Sequence, residues 1–230
     1  MSIHKKFGLI ILFLIINTFL VIGYLSVRNA TFLNKLRNEA LKLSELDLTK
    51  DKYSMELRTN GSYAVVEKAM KSYLHNYAKL LQSTLAIMDD EKLIKILSYD
   101  NYASDGPLFT NSLKYLDTEK EKFNKNIDKL VADSQESNIN SYINGKIDDK
   151  YYKDLYIELM SNAKIKSNFN EVKALLEEAR TNINNIFDVS KEVLAFLVNT
   201  KDYWKLEDGQ IKFLSNDLYN QYIALISKIQ

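Results

Sequence analysis

The stretch SYAVVEKAMKSYLHNYAKLLQSTLAI, residues 62–87, places Val66, Met70, Tyr73, Tyr77, Leu80, Thr84 and Ile87 at spacings that alternate four and three. One face of an α-helix recurs at that interval, so these side chains form a single stripe, the seam of a heptad repeat. Asn60-Gly61 breaks the chain just before it. Downstream, Asp89-Asp90 predicts the cap of a short helix holding Leu93, Ile96 and Leu97. Residues 98–107, with Asp105-Gly106-Pro107, read as a loop. A third stripe uses Phe109, Leu113, Leu116, Phe123, Ile127 and Leu130; Lys120 interrupts it, and Asn144-Gly145 is expected to end it. Asp148-Asp149 starts another helix, with Tyr152, Leu155, Tyr156 and Leu159 inward. A last long helix is expected over 170–199, along Val172, Leu176, Ala179, Ile183, Ile186, Ser190, Val193 and Leu197.

One proline and six glycines in 230 residues argue against an all-β fold with its many turns. The expectation is all-α: an antiparallel helical bundle. Sustained heptads also fit a coiled coil between chains, but the breaks at Gly61, Gly106 and Gly145 favour a chain that folds back on itself.

Upstream, Phe32, Leu36, Ala40 and Leu43 continue the helical period towards Leu48. Before them, residues 7–27 carry no charge and are mostly apolar, flanked by Lys5 and Lys6 on one side and Arg28 on the other. At about 1.5 Å per residue such a helix covers roughly 30 Å, the thickness of a bilayer's hydrocarbon core. The expected organisation is a cytoplasmic tail over 1–6, a transmembrane anchor over 7–27 and one helical domain over 28–230. A cleaved signal peptide competes, but its apolar core is shorter, about 7–15 residues, and Val21-x-Gly23 is the only passable cleavage site. Lys5 and Lys6 before the span nearly balance Arg28, Lys35 and Arg37 after it. A short tail with two lysines is easily retained inside, so the domain is expected outside a cytoplasmic (inner) membrane.

Of 31 basic residues, removing Lys5 and Lys6 leaves 29 against 30 acidic ones, a formal charge of −1 over 28–230. That balance gives no electrostatic footprint for nucleic acid. There is no cysteine, hence neither a disulfide framework nor a cysteine nucleophile. His75 is the only histidine beyond the amino-terminal tail, and no partner for a general base is evident beside it. Clustered Cys and His for zinc are absent, and no glycine-rich phosphate loop occurs. Asp89-Asp90-Glu91 and Asp148-Asp149 read as helix-start carboxylates favoured by the helix dipole. No catalytic residue, cofactor or metal is therefore expected, and the chain reads as a non-enzyme. The tyrosines, Tyr73, Tyr77, Tyr99, Tyr102, Tyr151, Tyr152 and Tyr156, either line a groove for a peptide or glycan or rim a core with their hydroxyls in water; the second reading is preferred.

Residues 202–214 leave the helical pattern. Trp204-Lys205-Leu206-Glu207 and Gln210-Ile211-Lys212-Phe213 flank Asp208-Gly209, the pair a type I′ hairpin turn requires. The expected register sets Trp204 opposite Phe213 and Leu206 opposite Ile211. These four form one apolar face, the candidate anchor for packing or for a partner. A lone hairpin is marginal in water, so this face must be covered. Ser215 or Asn216 then caps a final helix with Leu218, Tyr222, Leu225 and Ile229.

A long helix ending in Phe196-Leu197, the hairpin, and a helix with Tyr219-Asn220 and Ile223 together resemble an uncharacterised family of bacterial membrane-anchored, helix-rich envelope proteins, over roughly the last 60 residues. The resemblance implies an envelope location and no known activity. Two functions follow: a membrane-tethered envelope protein acting through contact with another protein, or an extracytoplasmic small-ligand-binding or sensor domain that needs a separate output partner.

Overall fold

The computed structural model describes residues 30–44, 52, 54–160 and 163–229. The tail over 1–6 and the anchor over 7–27 lie outside the described residues. Among those described, no helix is long and apolar enough to cross a membrane. The fold is mainly helical, with a small two-stranded antiparallel sheet near the carboxyl terminus. In chain order the elements are α1 (Ala30–Ser44), α2 (Gly61–Met88), α3 (Glu91–Ile94), α4 (Tyr99–Asp105), α5 (Thr110–Asp133), α6 (Glu136–Ser141), α7 (Lys150–Met160), α8 (Ala163–Asn199), β1 (Trp204–Glu207), β2 (Gln210–Phe213) and α9 (Asn216–Ile226).

The described residues divide into two compact units, each drawn from two stretches: those of 30–85 with those of 126–177, and 86–125 with 178–229. In the first, α1 buries Leu33, Leu36, Ala40 and Leu43, and α2 buries Tyr63, Val66, Met70, Tyr73, Leu74, Tyr77 and Leu81. Tyr77 hydrogen-bonds Ser134 and Asn126 donates to Ser83. As the residue number rises on α2 it falls on the partner stretch, so the two run in opposite senses where they meet.

In the second unit, Lys191 meets Asp117, Lys120 meets Asp188, and Asn124 and Asn184 exchange amide hydrogen bonds of 2.9 Å in both directions. This again is an antiparallel pairing, of α5 with α8. Phe123 packs against Phe187 beneath it, with ring centroids 6.4 Å apart. Lys120, which interrupts the apolar stripe of α5, reaches Asp188 at the edge of the pair rather than entering the core.

Three expectations need correction. The stretch 98–107 is not a loop throughout: Ser98 caps α4 by accepting the Asn101 amide, and the helix runs to Asp105. The third long helix stops at Asp133, not at Asn144-Gly145, and α6 follows with Ile139 buried. The last long helix begins at Ala163 rather than near 170. Elsewhere the local signals hold. Asp90 caps α3 through the Lys92 amide, and Asp149 accepts from the Tyr151 amide at the start of α7.

The hairpin has the register the Asp208-Gly209 turn dictates, Trp204 opposite Phe213 and Leu206 opposite Ile211. Asp208 and Gly209 have φ of 53° and 73°. Two successive positive φ values are what a type I′ turn needs, and aspartate and glycine tolerate them.

Candidate functional site

Two constellations stand out, one in each unit. In the second unit the hairpin carries the candidate anchor Trp204, Leu206, Ile211 and Phe213. All four are half-buried. The Trp204 ring stacks on Phe109, with centroids 6.2 Å apart and an interplanar angle of 20°. Its Nε1 donates to the Leu197 carbonyl at 2.8 Å, which ties β1 to the end of α8. Phe213 lies against Phe196 and Tyr222 at 6.1 and 5.2 Å. Phe109 is fully buried and left-handed, with φ of 51°, a conformation disfavoured for a bulky side chain. It is held between Tyr102, 5.6 Å away, and Trp204. The Asp105 carboxylate accepts the amides of Asn111 and Ser112 at 3.3 and 2.7 Å, capping α5 just past Phe109.

On the other face of the hairpin, Lys205 and Lys212 meet Glu207 at 3.3 and 3.0 Å, and Lys212 also meets Asp208. Hydrogen bonds from Lys212, then Lys205, hold the Glu207 carboxyl below its usual range. Such exposed pairs contribute little to stability. Around this end of the second unit, Tyr203, Leu214, Tyr219 and Ile223 are exposed, Leu214 to 69%.

The first unit holds a site that the heptad reading missed. Glu67 and Lys71, one turn apart on α2, are both fully buried. The Lys71 ammonium donates to Glu67 at 2.8 Å, to Glu39 of α1 at 2.7 Å and to the Glu56 carbonyl at 2.6 Å. An ammonium has three donors, and all three are used. Glu67 in turn accepts the Arg58 and Thr59 amides at 2.9 Å and the Thr59 hydroxyl at 2.7 Å. Burial alone would raise the Glu67 carboxyl. The Lys71 ammonium, the Arg58 and Thr59 amides and the Thr59 hydroxyl outweigh it and hold the group below its ordinary value.

Four of the seven tyrosines are core residues rather than a rim with wet hydroxyls, while Tyr99 is exposed and Tyr151 and Tyr152 are half-buried. Tyr73, Tyr77, Tyr102 and Tyr156 are buried. The Tyr156 hydroxyl donates to the Ile139 carbonyl at 2.7 Å, and Tyr102 and Tyr222 share a buried hydroxyl pair at 3.0 Å. The helices supply partners inside, so these hydroxyls need no water. Burial pushes all of them up, well away from neutral pH. His75 lies on an exposed side of α2. Among the described residues no group of three or more His, Cys, Asp or Glu is placed to hold a metal. Comparison with family models, with curated proteins and with solved structures finds no match.

The depressed carboxyls give the fold an acid-sensitive side. Glu67 and Asp105 both sit below their ordinary values: burial pushes each up, but bonds from Lys71, Arg58 and Thr59 on the one, and from Ser112 and Asn111 on the other, pull each down further. A carboxyl depressed in the folded state contributes stability that is present above its unfolded pKa, about 4, and lost as pH falls through its folded value. Asp133 works the other way. Burial raises it, against Lys129, so its contribution is present below the unfolded pKa and lost as pH rises through the folded one. Urea midpoints measured from pH 7 to pH 2.5 are expected to hold near neutrality and to drop below about pH 4. Glu67→Gln is expected to flatten that acid limb; an unchanged limb would remove Glu67 as its source.

Proposed function

We propose that this chain is a single-pass membrane protein of the bacterial envelope, non-enzymatic, whose helices form an antiparallel bundle that acts by contact with another protein. The observation that carries the reading is the pairing of the uncharged stretch 7–27 with a gathering of exposed apolar side chains in the second unit. Ile94, Leu108, Tyr203, Leu214, Tyr219 and Ile223 are 43–70% exposed there. Tyr203, Leu214, Tyr219 and Ile223 fall on the hairpin's flanks and the helix that follows it, and large apolar side chains exposed together are the usual mark of a contact surface. The opposed α2–α5 and α5–α8 contacts support the bundle. The resemblance of the tail to membrane-anchored envelope proteins supports the location. In the first unit all three donors of buried Lys71 are taken by internal partners, which suits a structural role better than a chemical one.

The alternative is a ligand-binding domain that works with a separate output partner. Its support is a cleft of about 460 Å³ lined by Asp90, Lys92, Lys95, Asp100 and Asn101. That cleft is open to solvent, and Lys95 already pairs with Glu91 beside it, so the contact reading is preferred.

The test uses full-length protein in membranes. Carbonate washing is expected to leave it in the pellet, and a photo-crosslinker placed at Leu214 or Ile223 is expected to trap a discrete protein adduct that one at exposed Lys79 does not. Release by carbonate would overturn the anchor; equal labelling at all three positions would overturn the contact surface.

A further inference from the structure

We propose that residues 54–60 are a detachable strap, latched onto α2 by the Glu67 carboxylate, which opens as a unit while the rest of the first unit stays folded. Of the seven residues only Thr59 is buried, and Met55 and Leu57 keep 42% and 39% of their surface exposed. The strap is held to α2 by hydrogen bonds to two side chains. Arg58 and Thr59 give their amides and Thr59 its hydroxyl to Glu67, while the Glu56 carbonyl receives Lys71. Among the described residues, Glu56 also bonds Ser54 and Arg58 pairs with Glu56, both within the strap.

The underlying pair does not depend on the strap. With it lifted, Lys71 keeps both Glu67 and Glu39, so no charge is stranded. Water replaces the lost strap bonds at Glu67, and among the described strap residues only Thr59 leaves a buried position. A pivot is present as well. Gly61, the first residue of α2, has φ of 59°, and nothing lies within 4 Å of the place a β-carbon would occupy. Glycine adopts that left-handed φ without strain and restricts the backbone least of all residues. Segments with few buried apolar contacts open locally, at free energies far below global unfolding.

Native-state hydrogen exchange on the full-length protein tests this. In the unaltered chain the Arg58 and Thr59 amides are expected to exchange at least a hundredfold faster than the buried α2 amides of Met70 and Leu74. Thr59→Val removes one latch bond and keeps the side chain's shape. It should speed the Arg58 amide about tenfold and leave Met70 and Leu74 unchanged. Glu67→Gln turns an amide donor towards the strap's donors and should speed it further. If that variant fails to fold, Thr59→Val decides alone. Strap and α2 amides that exchange together, or that accelerate by the same factor in Thr59→Val, would overturn the proposal, because the strap would then open only with the whole unit.

Discussion

Lys71→Met is expected to lower the unfolding free energy of the chain by about 3–5 kcal/mol, the usual loss when one member of a buried ion pair is removed. Methionine fills much the same volume, so the loss is electrostatic rather than a cavity. Glu67, 0% exposed, would keep its strap amides but lose the Lys71 ammonium. Glu39, whose side chain is 13% exposed, would lose the group that draws it inward. Removing both charges is a different matter. In Glu67→Leu with Lys71→Met the buried charges go together, and a pair replaced by apolar groups of similar volume is often neutral. Most of the loss is therefore expected to return. The Arg58 and Thr59 amides would then have no acceptor, so the strap is expected to stay loose while α1 and α2 regain their stability. Urea denaturation followed by circular dichroism measures both variants. A loss under about 1 kcal/mol for Lys71→Met would mean that the ammonium is not enclosed as the geometry shows.

The same helix shows how far the pattern of residues could be read. The stripe Val66, Met70, Tyr73, Tyr77, Thr84 and Ile87 is buried throughout, because a heptad repeat in a helix has one face to turn inward. Leu80 is only half-buried, and Leu81 beside it is fully covered. On α8 the same exchange occurs between Ile186 and Phe187. A straight helix advances 3.6 residues per turn, so a strict 3.5-residue seam drifts about 20° per heptad and the neighbouring position takes over. A second stripe lies beside it: Tyr63, Glu67, Lys71, Leu74, Ala78 and Leu81 also fall four and three apart and are all buried. Two charges at its core positions look like a solvated face until the strap and Glu39 are known to lie over them. That information comes from a different element, α1, and from a segment before the Asn60-Gly61 break. The hairpin was legible because an Asp-Gly turn is local, and α4 was not, because Asp105-Gly106-Pro107 masked the cap at Ser98. What Trp204 rests on was further out of reach: Phe109 lies some 95 residues upstream in a conformation no propensity suggests.

Trp204→Ala is expected to cost about 3 kcal/mol, the low end of the range for truncating a core aromatic, since the indole is half-buried. Three supports go with it. The stacking surface over Phe109 is lost, the Leu197 carbonyl loses its 2.8 Å donor, and Phe213 loses its cross-strand partner. The hairpin then has less to hold it, and two strands alone are marginal. The change also reaches Phe109. Its left-handed backbone costs on the order of 1–3 kcal/mol and persists only while packing fixes it, and Trp204 is one wall of that packing. Trp204→Phe separates these effects: the ring remains and the donor goes, so only about 1 kcal/mol should be lost. Indole emission in the unaltered chain is expected to be blue-shifted and poorly quenched by iodide. If instead Trp204 served as an anchor for a partner, Trp204→Ala would leave the urea midpoint where it was and abolish the crosslink at Ile223. That combination would overturn the packing role. A lowered midpoint, with the Ile223 crosslink surviving in Trp204→Phe, would place the contact on the outer side chains and leave Trp204 to hold the hairpin that presents them.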